Sequence, residues 1–359
     1  MRLGDHPGVL LAQRLLPLVA TTSQVRRLRS GERSMSGRTM PVAEERELML
    51  DVAISYYLDD KSKVEIASQL GLSRFKVARL LEQARDDGLV RITIVDGVIR
   101  GPLSEQLAQH LQLDSAIIVA GAPDEAENRE ALAQAAASLI RRSLHPGGVF
   151  GFSWGRTLSR IGEFIEILPA STLVALTGSV GTDITQSPVE VLRGIAGHSP
   201  MRTMTIFAPL LVESASTADA LRRDPAIASV LATYQHLDLA VVSVGSWDPP
   251  ITQLMDSLSD SERAELDLAG ARAELVGIFV RDDGRPIDAD LTRRRIAISA
   301  EQLIAVPQVL AVAGGVEKVP AIAAVARSRI INALITDERT ARSLLELEPV
   351  PPGPRQLPR

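Results

Sequence analysis

The chain has 359 residues, which is long enough for more than one domain. Its composition, 45% hydrophobic and 23% charged residues, is that of a folded protein. A formal net charge of −5 argues against nucleic-acid contact over the whole surface. The absence of cysteine excludes disulfides and thiolate metal sites, and the five histidines form no H-x-x-x-H pair, so we expect no metal and no cofactor.

Residues 1–40 combine seven arginines and two acidic residues with an apolar run. Arg14 interrupts that run, which argues against a secretory signal and against a membrane span, because a span needs about 20 apolar residues. Two interpretations remain open. The segment is either a disordered basic arm or the product of a start codon assigned too early, with Met35 or Met40 as the true start, and we favour the second.

Residues 41–96 are predicted to form a DNA-binding domain. An amphipathic helix over 41–58 precedes the segment 63–80, KVEIASQLGLSRFKVARL, which has the pattern of a helix-turn-helix. Gly71 stands where the first helix must end through positive φ, and Ser73 is a good N-cap for the second. The alternative is an ordinary helical hairpin with a solvated basic face.

The two helices of this segment carry matching apolar faces. Ile66, Ala67 and Leu70 form a stripe on the first helix. On the second helix, Val77, Leu80 and Leu81 point back toward it. In a helix-turn-helix the outward face of the second helix enters the DNA major groove. The residues that we expect to contact DNA are Ser73, Arg74, Phe75, Lys76 and Arg79.

Two further features follow the second helix. Gly88 ends the helix, and residues 89–95 read as a strand that would start a small wing, on which Arg91 could contact phosphate or simply lie in solvent. Residues 97–102 read as a linker between domains.

Residues 103–347 are predicted to form an open α/β sheet of Rossmann-like type with crossover helices on both faces. The prediction rests on short apolar runs that alternate with helical segments. The expected strands are Ser115–Gly121, Gly147–Ser153, Ser171–Gly178, Leu237–Gly245, Glu274–Val280, Val309–Gly315 and Asn332–Asp337. The Pro-rich end, residues 348–359, is expected to be disordered.

Glycine-rich loops follow three of these strands, at the edge where open α/β sheets bind ligands. The motifs are WGRT, TGSVGTD and AGGVEK. Backbone N–H groups, an arginine, a lysine and hydroxyls are suited to a phosphate, so we expect a sugar-phosphate site. The residues assigned to it from these loops are Gly155, Arg156, Thr157, Gly178, Ser179, Gly181 and Lys318.

Acidic and aromatic residues near these loops are further candidates. Glu274 opens an otherwise apolar strand, where burying a carboxylate is costly unless it has a hydrogen-bonding or ionic partner. It is therefore a candidate acceptor for sugar hydroxyls. Alternatively, it lies in solvent at the end of the strand. Asp183 and Asp248 have the same standing. Trp154 and Trp247 flank the loops and would either stack on a sugar or close the core.

Over about residues 45–347 the chain resembles the SorC family of bacterial transcriptional regulators. The resemblance is carried by EIASQLGLSRFKVARLLEQARDDGLVRITI, GFSWGRTL, LTGSVG, DLAVVSVGSWD and AGGVEKVPAIAAV. It implies an N-terminal DNA-binding domain and an effector domain similar in fold to glucosamine-6-phosphate deaminase, ribose-5-phosphate isomerase and CoA transferases. It also implies a tetramer that binds operators of carbohydrate-use genes and senses a phosphorylated sugar.

The resemblance assigns roles to individual residues. It implies that the WGRT and TGSVG loops hold the phosphate, that Lys318 reaches the sugar, and that Glu274 is the family's acidic residue. The sequence departs from the family pattern there, because the family more often has Asp preceded by Gly.

We therefore expect a cytoplasmic, homo-oligomeric regulator whose binding to operator DNA is allosterically controlled by a phosphorylated sugar or polyol. The alternative is a sugar-phosphate isomerase or deaminase with an appended DNA-binding module, but no histidine falls in the glycine-rich loops to serve as a base. A third possibility is a constitutive DNA-binding protein with a degenerate effector domain.

Overall fold

The structure is a computed structural model that describes residues 42–57, 59, 61–87, 89–90, 98–99, 101–122, 124–165, 167–181, 185, 187–197 and 199–358. The chain divides into two compact units, Met1–Ile94 and Val95–Arg359. The N-terminal segment 1–40 and most of the predicted wing, with Gly88 and Arg91, lie outside the described residues.

The described residues of the first unit form three helices: α1 (Val42–Tyr57), α2 (Lys63–Leu70) and α3 (Arg74–Asp86). They pack around one apolar core, in line with the prediction from helical spacing. The buried residues of this core are Met49, Val52, Ala53, Ile66, Ala67, Val77, Leu80, Leu81 and Ala84. Leu70 was expected in the stripe of α2, but 38% of its surface is exposed, because α2 buries only Ile66 and Ala67.

The second unit alternates strands and helices. The strands are β1 (Val98–Ile99), β2 (Ser115–Val119), β3 (Val149–Phe152), β4 (Thr172–Ala175), β5 (Arg202–Met204), β6 (Leu239–Ser243), β7 (Gly245–Ser246), β8 (Ala271–Leu275), β9 (Ile278–Arg281), β10 (Gln308–Val312) and β11 (Ala333–Asp337). The α-helices are α4 (Pro102–Leu111), α5 (Glu125–Ser143), α6 (Pro188–Ala196), α7 (Ala215–Arg223), α8 (Pro225–Leu231), α9 (Asp260–Leu268), α10 (Asp290–Arg293), α11 (Ala300–Ala305), α12 (Val319–Arg327) and α13 (Glu338–Leu345).

Eight of the described strands form one sheet in the order β1-β2-β11-β10-β6-β3-β4-β5. All neighbours are parallel except β1, which is antiparallel to β2 at the edge. The register places Val242 of β6 opposite Ala311 of β10. The sheet confirms the predicted open, mostly parallel α/β fold.

Side chains alternate between two cores along the central strands. In β6, Leu239 and Val241 belong to the core under α5 and α6, whereas Ala240 and Val242 belong to the core on the opposite face. A parallel sheet covered on both faces has this arrangement, which explains why its strands read as continuous apolar runs.

The order of the strands reverses between β3 and β6. From β3 the chain continues to β4 and β5 on one side, and from β6 it continues to β10 and β11 on the other. The loops that leave the carboxyl ends of β3 and β6 therefore diverge and leave a crevice, which is the usual ligand position in open α/β sheets.

The segment Glu274–Val280 differs from the prediction of a single strand in this sheet. It forms the turn and both arms of a hairpin, β8–β9, which belongs with β7 to a separate three-stranded antiparallel sheet. Val276 and Gly277 both have positive φ, 47° and 74°, so the chain reverses within the apolar run. Glu274 consequently lies at the end of β8, beside the turn.

The segment after β3 forms a 3₁₀ helix, Leu158–Phe164. Two expectations from the sequence need correction. The predicted linker 97–102 contains β1, which pairs with β2. The tail 348–359 was expected to be disordered, but over residues 348–358 it packs on the second unit, since Val350 is buried and the Arg355 guanidinium donates to the carbonyl oxygens of Val306, Leu303 and Ile330.

Candidate functional site

The turn between α2 and α3 is built from local hydrogen bonds. Ser62 and Glu65 form a capping box that starts α2, with Ser62 N donating to Glu65 Oε2 at 2.8 Å. Gly71 ends the helix with a φ of 66°, and Leu72 N donates to Ala67 O at 2.9 Å. Ser73 Oγ accepts from Lys76 N at 3.1 Å and so caps α3. The roles predicted for Gly71 and Ser73 are confirmed.

Helix α3 presents one apolar and one polar face. Its buried face contacts the core of the first unit, while Arg74, Phe75 and Arg79 are exposed, Phe75 to 83%. Ser73 is exposed as well, and Lys76 is half-buried. Among the described residues of this unit, the exposed phenylalanine between two cations has no packing role, and it suits contact with a DNA groove.

The second candidate site is a cavity at the carboxyl ends of β3, β6 and β10. It lies at the switch point between β3 and β6, next to the first turn of α5. Its lining residues are Glu125, Asn128, Arg129, Leu132, Trp154, Gly155, Arg156, Thr157, Ser243, Val244, Gly245, Ile251, Thr252, Gln253, Glu274, Val312, Ala313, Gly314, Glu317 and Lys318.

Two serines join the loops after β3 and β6. Ser243 Oγ donates to Trp154 O at 2.8 Å, and Ser243 N donates to Ser153 Oγ at 3.2 Å. The predicted residues Gly155, Arg156 and Thr157 follow directly. Arg156 is exposed and has no ion-pair partner in the described part of the chain.

Lys318 reaches the cavity from the loop after β10. Its Nζ donates to Val244 O at 3.0 Å. Burial, followed by the positive charge of Arg156, lowers the pKa of Lys318 to about 8. Lys318 therefore remains mostly protonated near neutral pH but titrates far more readily than a surface lysine.

Glu274 is only 2% exposed and lies on the same cavity. Thr252 Oγ1 donates to its Oε1 at 2.8 Å, and Gly277 N donates to its Oε2 at 3.2 Å. Burial raises its pKa above the usual value for a glutamate. The hairpin turn, and not a strand of the main sheet, positions this carboxyl.

The contribution of α5 to the cavity was not predicted from the sequence. Glu125, Asn128 and Arg129 line the cavity from its first turns. Arg129 ion-pairs with Glu125. The hydrogen bond that Arg129 donates to this carboxylate holds the pKa of Glu125 below its usual value. The signal was present, because spacings of i, i+3 and i+4 place three polar side chains on one face of a helix that begins after a strand of the sheet.

The TGSVG loop does not contribute to the lining of this cavity. Gly178 N donates to Ile296 O at 2.8 Å, and Ser179 N donates to Ala208 O at 2.9 Å, so this backbone is engaged in contacts within the unit. Gly181 has a φ of 61° and is exposed beside residues outside the described ranges. The structure thus brings together five of the eight residues assigned to the effector site.

The two tryptophans have different positions. Trp154 lines the cavity and is buried in the core. Trp247 closes the core instead, with its Nε1 donating to Asp267 Oδ1 at 2.6 Å and its ring edge-on to Phe279. Asp248 is an exposed residue that ion-pairs with Arg272 at 3.3 Å, and Asp183 lies outside the described residues.

The described ranges show neither a metal-binding cluster nor a membrane-spanning helix. They contain no group of three or more histidine, aspartate or glutamate side chains that could hold a metal ion. Every helix within them is too short or too polar to cross a membrane.

A helix-turn-helix unit combined with an α/β unit that has a polar cavity at its switch point defines a DNA-binding regulator with a ligand-binding domain. Comparisons with known proteins agree. Residues 101–346 match the family model described as "Putative sugar-binding domain". The transcriptional regulator LsrR of Klebsiella pneumoniae is 32% identical over 320 residues, which are 86% of this chain and 95% of that protein.

Other relatives extend the comparison. The erythritol catabolism regulatory protein EryD of Brucella abortus is 31% identical and covers 83% of this chain and 96% of its own length. The crystal structure of the full-length sorbitol operon regulator SorC from Klebsiella pneumoniae has the same fold, with a TM-score of 0.63 at 24% identity over 84% of this chain and 99% of that one. The chain belongs to the SorC family and is a DNA-binding transcriptional regulator.

Proposed function

We propose that the protein regulates carbohydrate-use genes and that a phosphorylated sugar or polyol in the cavity at the β3–β6 switch point controls its affinity for operator DNA. Relatives named for erythritol catabolism and for a sorbitol operon support this class of effector. Phosphorylated sugars and DNA occur together in the cytoplasm, where we place the protein.

The convergence of three cations on the cavity carries the proposal. Arg129, Arg156 and Lys318 all line it, and burial, followed by the charges of both arginines, lowers the pKa of Lys318. Arg129 is ion-paired with Glu125, but Arg156 has no ion-pair partner among the described residues, and like charges at close range destabilise one another. A phosphate dianion would relieve this repulsion and accept charge-assisted hydrogen bonds from the guanidinium and ammonium groups.

The opposite side of the cavity suits the hydroxylated part of the ligand. Each carboxyl oxygen of Glu274 accepts one hydrogen bond from the protein, which leaves a second lone pair for a ligand hydroxyl. Ser243 and Thr252 add hydroxyl groups to the lining. We assign phosphate recognition to the Arg156 loop and sugar recognition to Glu274 and Lys318.

Control of DNA binding follows from differential affinity. An effector shifts a conformational equilibrium only if it binds one state more tightly than the other. We propose that the protein acts as a homo-oligomer, a tetramer by resemblance to the family. In this assembly the effector changes the spacing of paired α3 helices, which must match half-sites on the helical repeat of DNA.

The cavity is proposed to sense its ligand and not to convert it. Sugar-phosphate isomerisation and deamination need a positioned base, often with histidine, and no histidine is among the residues that line the cavity in the described part of the chain. Incubation with ribose 5-phosphate or glucosamine 6-phosphate should yield no turnover. Formation of product would instead support a sugar-phosphate isomerase or deaminase.

A thermal-shift screen tests the proposal, since a ligand raises the melting temperature according to its affinity for the folded state. Phosphorylated sugars and polyols are compared with their unphosphorylated parents. We expect stabilisation by at least one phosphorylated compound and a much smaller effect of its parent. Arg156→Ala should weaken binding by roughly tenfold or more, whereas Arg141→Ala, an exposed arginine at the far end of α5, should not. Equal shifts by phosphorylated and parent compounds, or no shift by any compound, would contradict the proposal.

A further inference from the structure

Asn128 places an unpaired amide oxygen beside the cavity. The residue lies on α5, is only 9% exposed and lines the cavity. Its Nδ2 donates to Asp337 Oδ2 at 3.2 Å. Its Oδ1 is fully buried and has no hydrogen-bond donor among the described residues.

The carboxylate of Asp337 fixes the orientation of this amide. Asp337 Oδ2 also accepts from Gly315 N at 2.8 Å and from Thr340 Oγ1 at 2.7 Å, while Oδ1 accepts from Thr340 N at 2.9 Å. Burial alone would raise the pKa of Asp337, but these hydrogen bonds lower it below the usual value, so the group is an ionised acceptor. A flipped Asn128 would place oxygen against oxygen.

An unsatisfied buried oxygen is costly. Leaving such an acceptor without a donor destabilises the folded protein, and few buried side-chain oxygens in native proteins are left in this state. The amide nitrogen of Asn128 is held by Asp337, so only the oxygen is available to accept a hydrogen bond. No donor for this oxygen is present among the described residues, although other residues that line the cavity carry donor groups. The adjoining cavity is the place from which a bound ligand would supply one.

We propose that Asn128 Oδ1 accepts a hydrogen bond from one hydroxyl of the sugar or polyol part of the effector, which makes Asn128 a specificity-determining residue. The inference rests on the proposed function. Asp337 is the positioning residue, because its carboxylate presents the amide oxygen to the ligand. The site would select a ligand with a hydroxyl at one carbon and reject the analogue that lacks it, since the deoxy compound leaves the oxygen unpaired.

Calorimetric titration with matched ligands tests this assignment. The probes are D-ribose 5-phosphate, D-glucose 6-phosphate and D-erythritol 4-phosphate, each with its monodeoxy analogues. For the wild type we expect one deoxy analogue to bind about tenfold more weakly than its parent. In Asn128→Leu, which is similar in size and has no acceptor, the same pair should differ by less than about twofold. Gln134→Ala, at an exposed amide of the same helix, should keep the wild-type ratio.

The outcomes separate the two proposals. If no probe binds the wild type, the proposed effector class fails, and this inference fails with it. If a parent compound binds but its deoxy analogues lose affinity equally in wild type and Asn128→Leu, the effector class stands and the role of Asn128 is overturned. Asn128→Ala provides the same comparison should Asn128→Leu fail to fold.

Discussion

Gly245 and Glu274 lie opposite each other in the β7–β8 ladder, and the Glu274 carboxylate occupies the space where a side chain at position 245 would begin. A Cβ atom there would overlap Glu274 Oε1 and press on Thr252, which donates to the same oxygen. Only glycine at position 245 therefore leaves room for the buried carboxyl group of Glu274 in its present position.

Replacement of this glycine should affect both stability and ligand binding. Gly245→Ala should lower the free energy of unfolding by roughly 1–3 kcal/mol because the buried neighbours must shift. It should also weaken effector binding, because the Glu274 carboxyl moves. Chemical denaturation and ligand titration measure the two effects. Gly121→Ala is the control, since its new methyl group would meet Arg339 at an ordinary 3.8 Å. Wild-type behaviour of Gly245→Ala in both assays would contradict the geometry.

Effector affinity should fall above about pH 8, where Lys318 loses its charge. Burial, followed by the charge of Arg156, lowers the pKa of Lys318 to about 8. A phosphate monoester is already dianionic well above pH of about 6, so the charge of the ligand stays constant. Calorimetry across this pH range should show that the effector affinity of the wild type declines. The affinity of Lys318→Met should be weaker and nearly independent of pH. A parallel decline in the variant would assign the titration to another group.

In the absence of ligand, loss of the Lys318 charge at high pH should stabilise the folded protein, although the same loss weakens effector binding. Its pKa is about 8 in the folded state, against 10.5 for an unperturbed lysine, so the unfolded state binds more protons between these values. The contribution of this residue to the free energy of unfolding therefore rises with pH across that window. Relative to wild type, Lys318→Met should be stabilised below about pH 8, and the difference should shrink toward pH 10.5, as measured by chemical denaturation. A difference independent of pH would contradict the lowered pKa.

The exposed face of α3 should carry affinity for DNA. Arg79→Ala should weaken binding to a duplex selected by the wild type from a random library, by about tenfold or more if Arg79 contacts a base. Effector-induced thermal stabilisation should remain intact. Arg46→Ala, which removes an exposed arginine of α1, controls for net charge. If Arg79→Ala lost both DNA binding and effector response, the assignment of the two roles to separate units would be wrong.

The carboxyl-terminal segment should stabilise the second unit. Arg355 donates to three main-chain carbonyls, with Nη1 at 2.7 Å from Val306 O. Arg355→Met should lower the free energy of unfolding by roughly 1–3 kcal/mol, because hydrogen bonds from a charged donor are lost at a half-buried position. Arg342→Met, which breaks an exposed ion pair with Glu338, should cost less than about 1 kcal/mol. Equal effects would mean that the segment is not anchored as described.

Local signals made the helix-turn-helix predictable. The positive φ of Gly71 and the cap at Ser73 depend on residues within one helical turn, so the sequence contains the full cause. The parallel sheet was predictable because strands buried on both faces leave apolar runs. Of the site, Gly155, Arg156 and Thr157 could be found, because a glycine-rich loop follows directly after a strand.

Non-local causes explain what the sequence analysis missed. Val276 adopts positive φ, which β-branched residues rarely do, so the reversal within Glu274–Val280 had no recognisable signal. Gly178 resembled a ligand-binding glycine, but its N–H pairs with Ile296, far along the chain. Local spacing could place Asn128 on the polar face of α5 but not reveal the hydrogen bond that orients its amide, because the partner, Asp337, lies 209 residues away.

The most direct test of the account measures affinity for the selected DNA duplex with and without the phosphorylated compound that raises the melting temperature most. The account predicts that a saturating effector changes the dissociation constant of the wild type by about fivefold or more. It also predicts that Arg156→Ala, at the same effector concentration, responds much less. An unchanged dissociation constant for the wild type with the effector bound would contradict the claim that this cavity controls DNA binding.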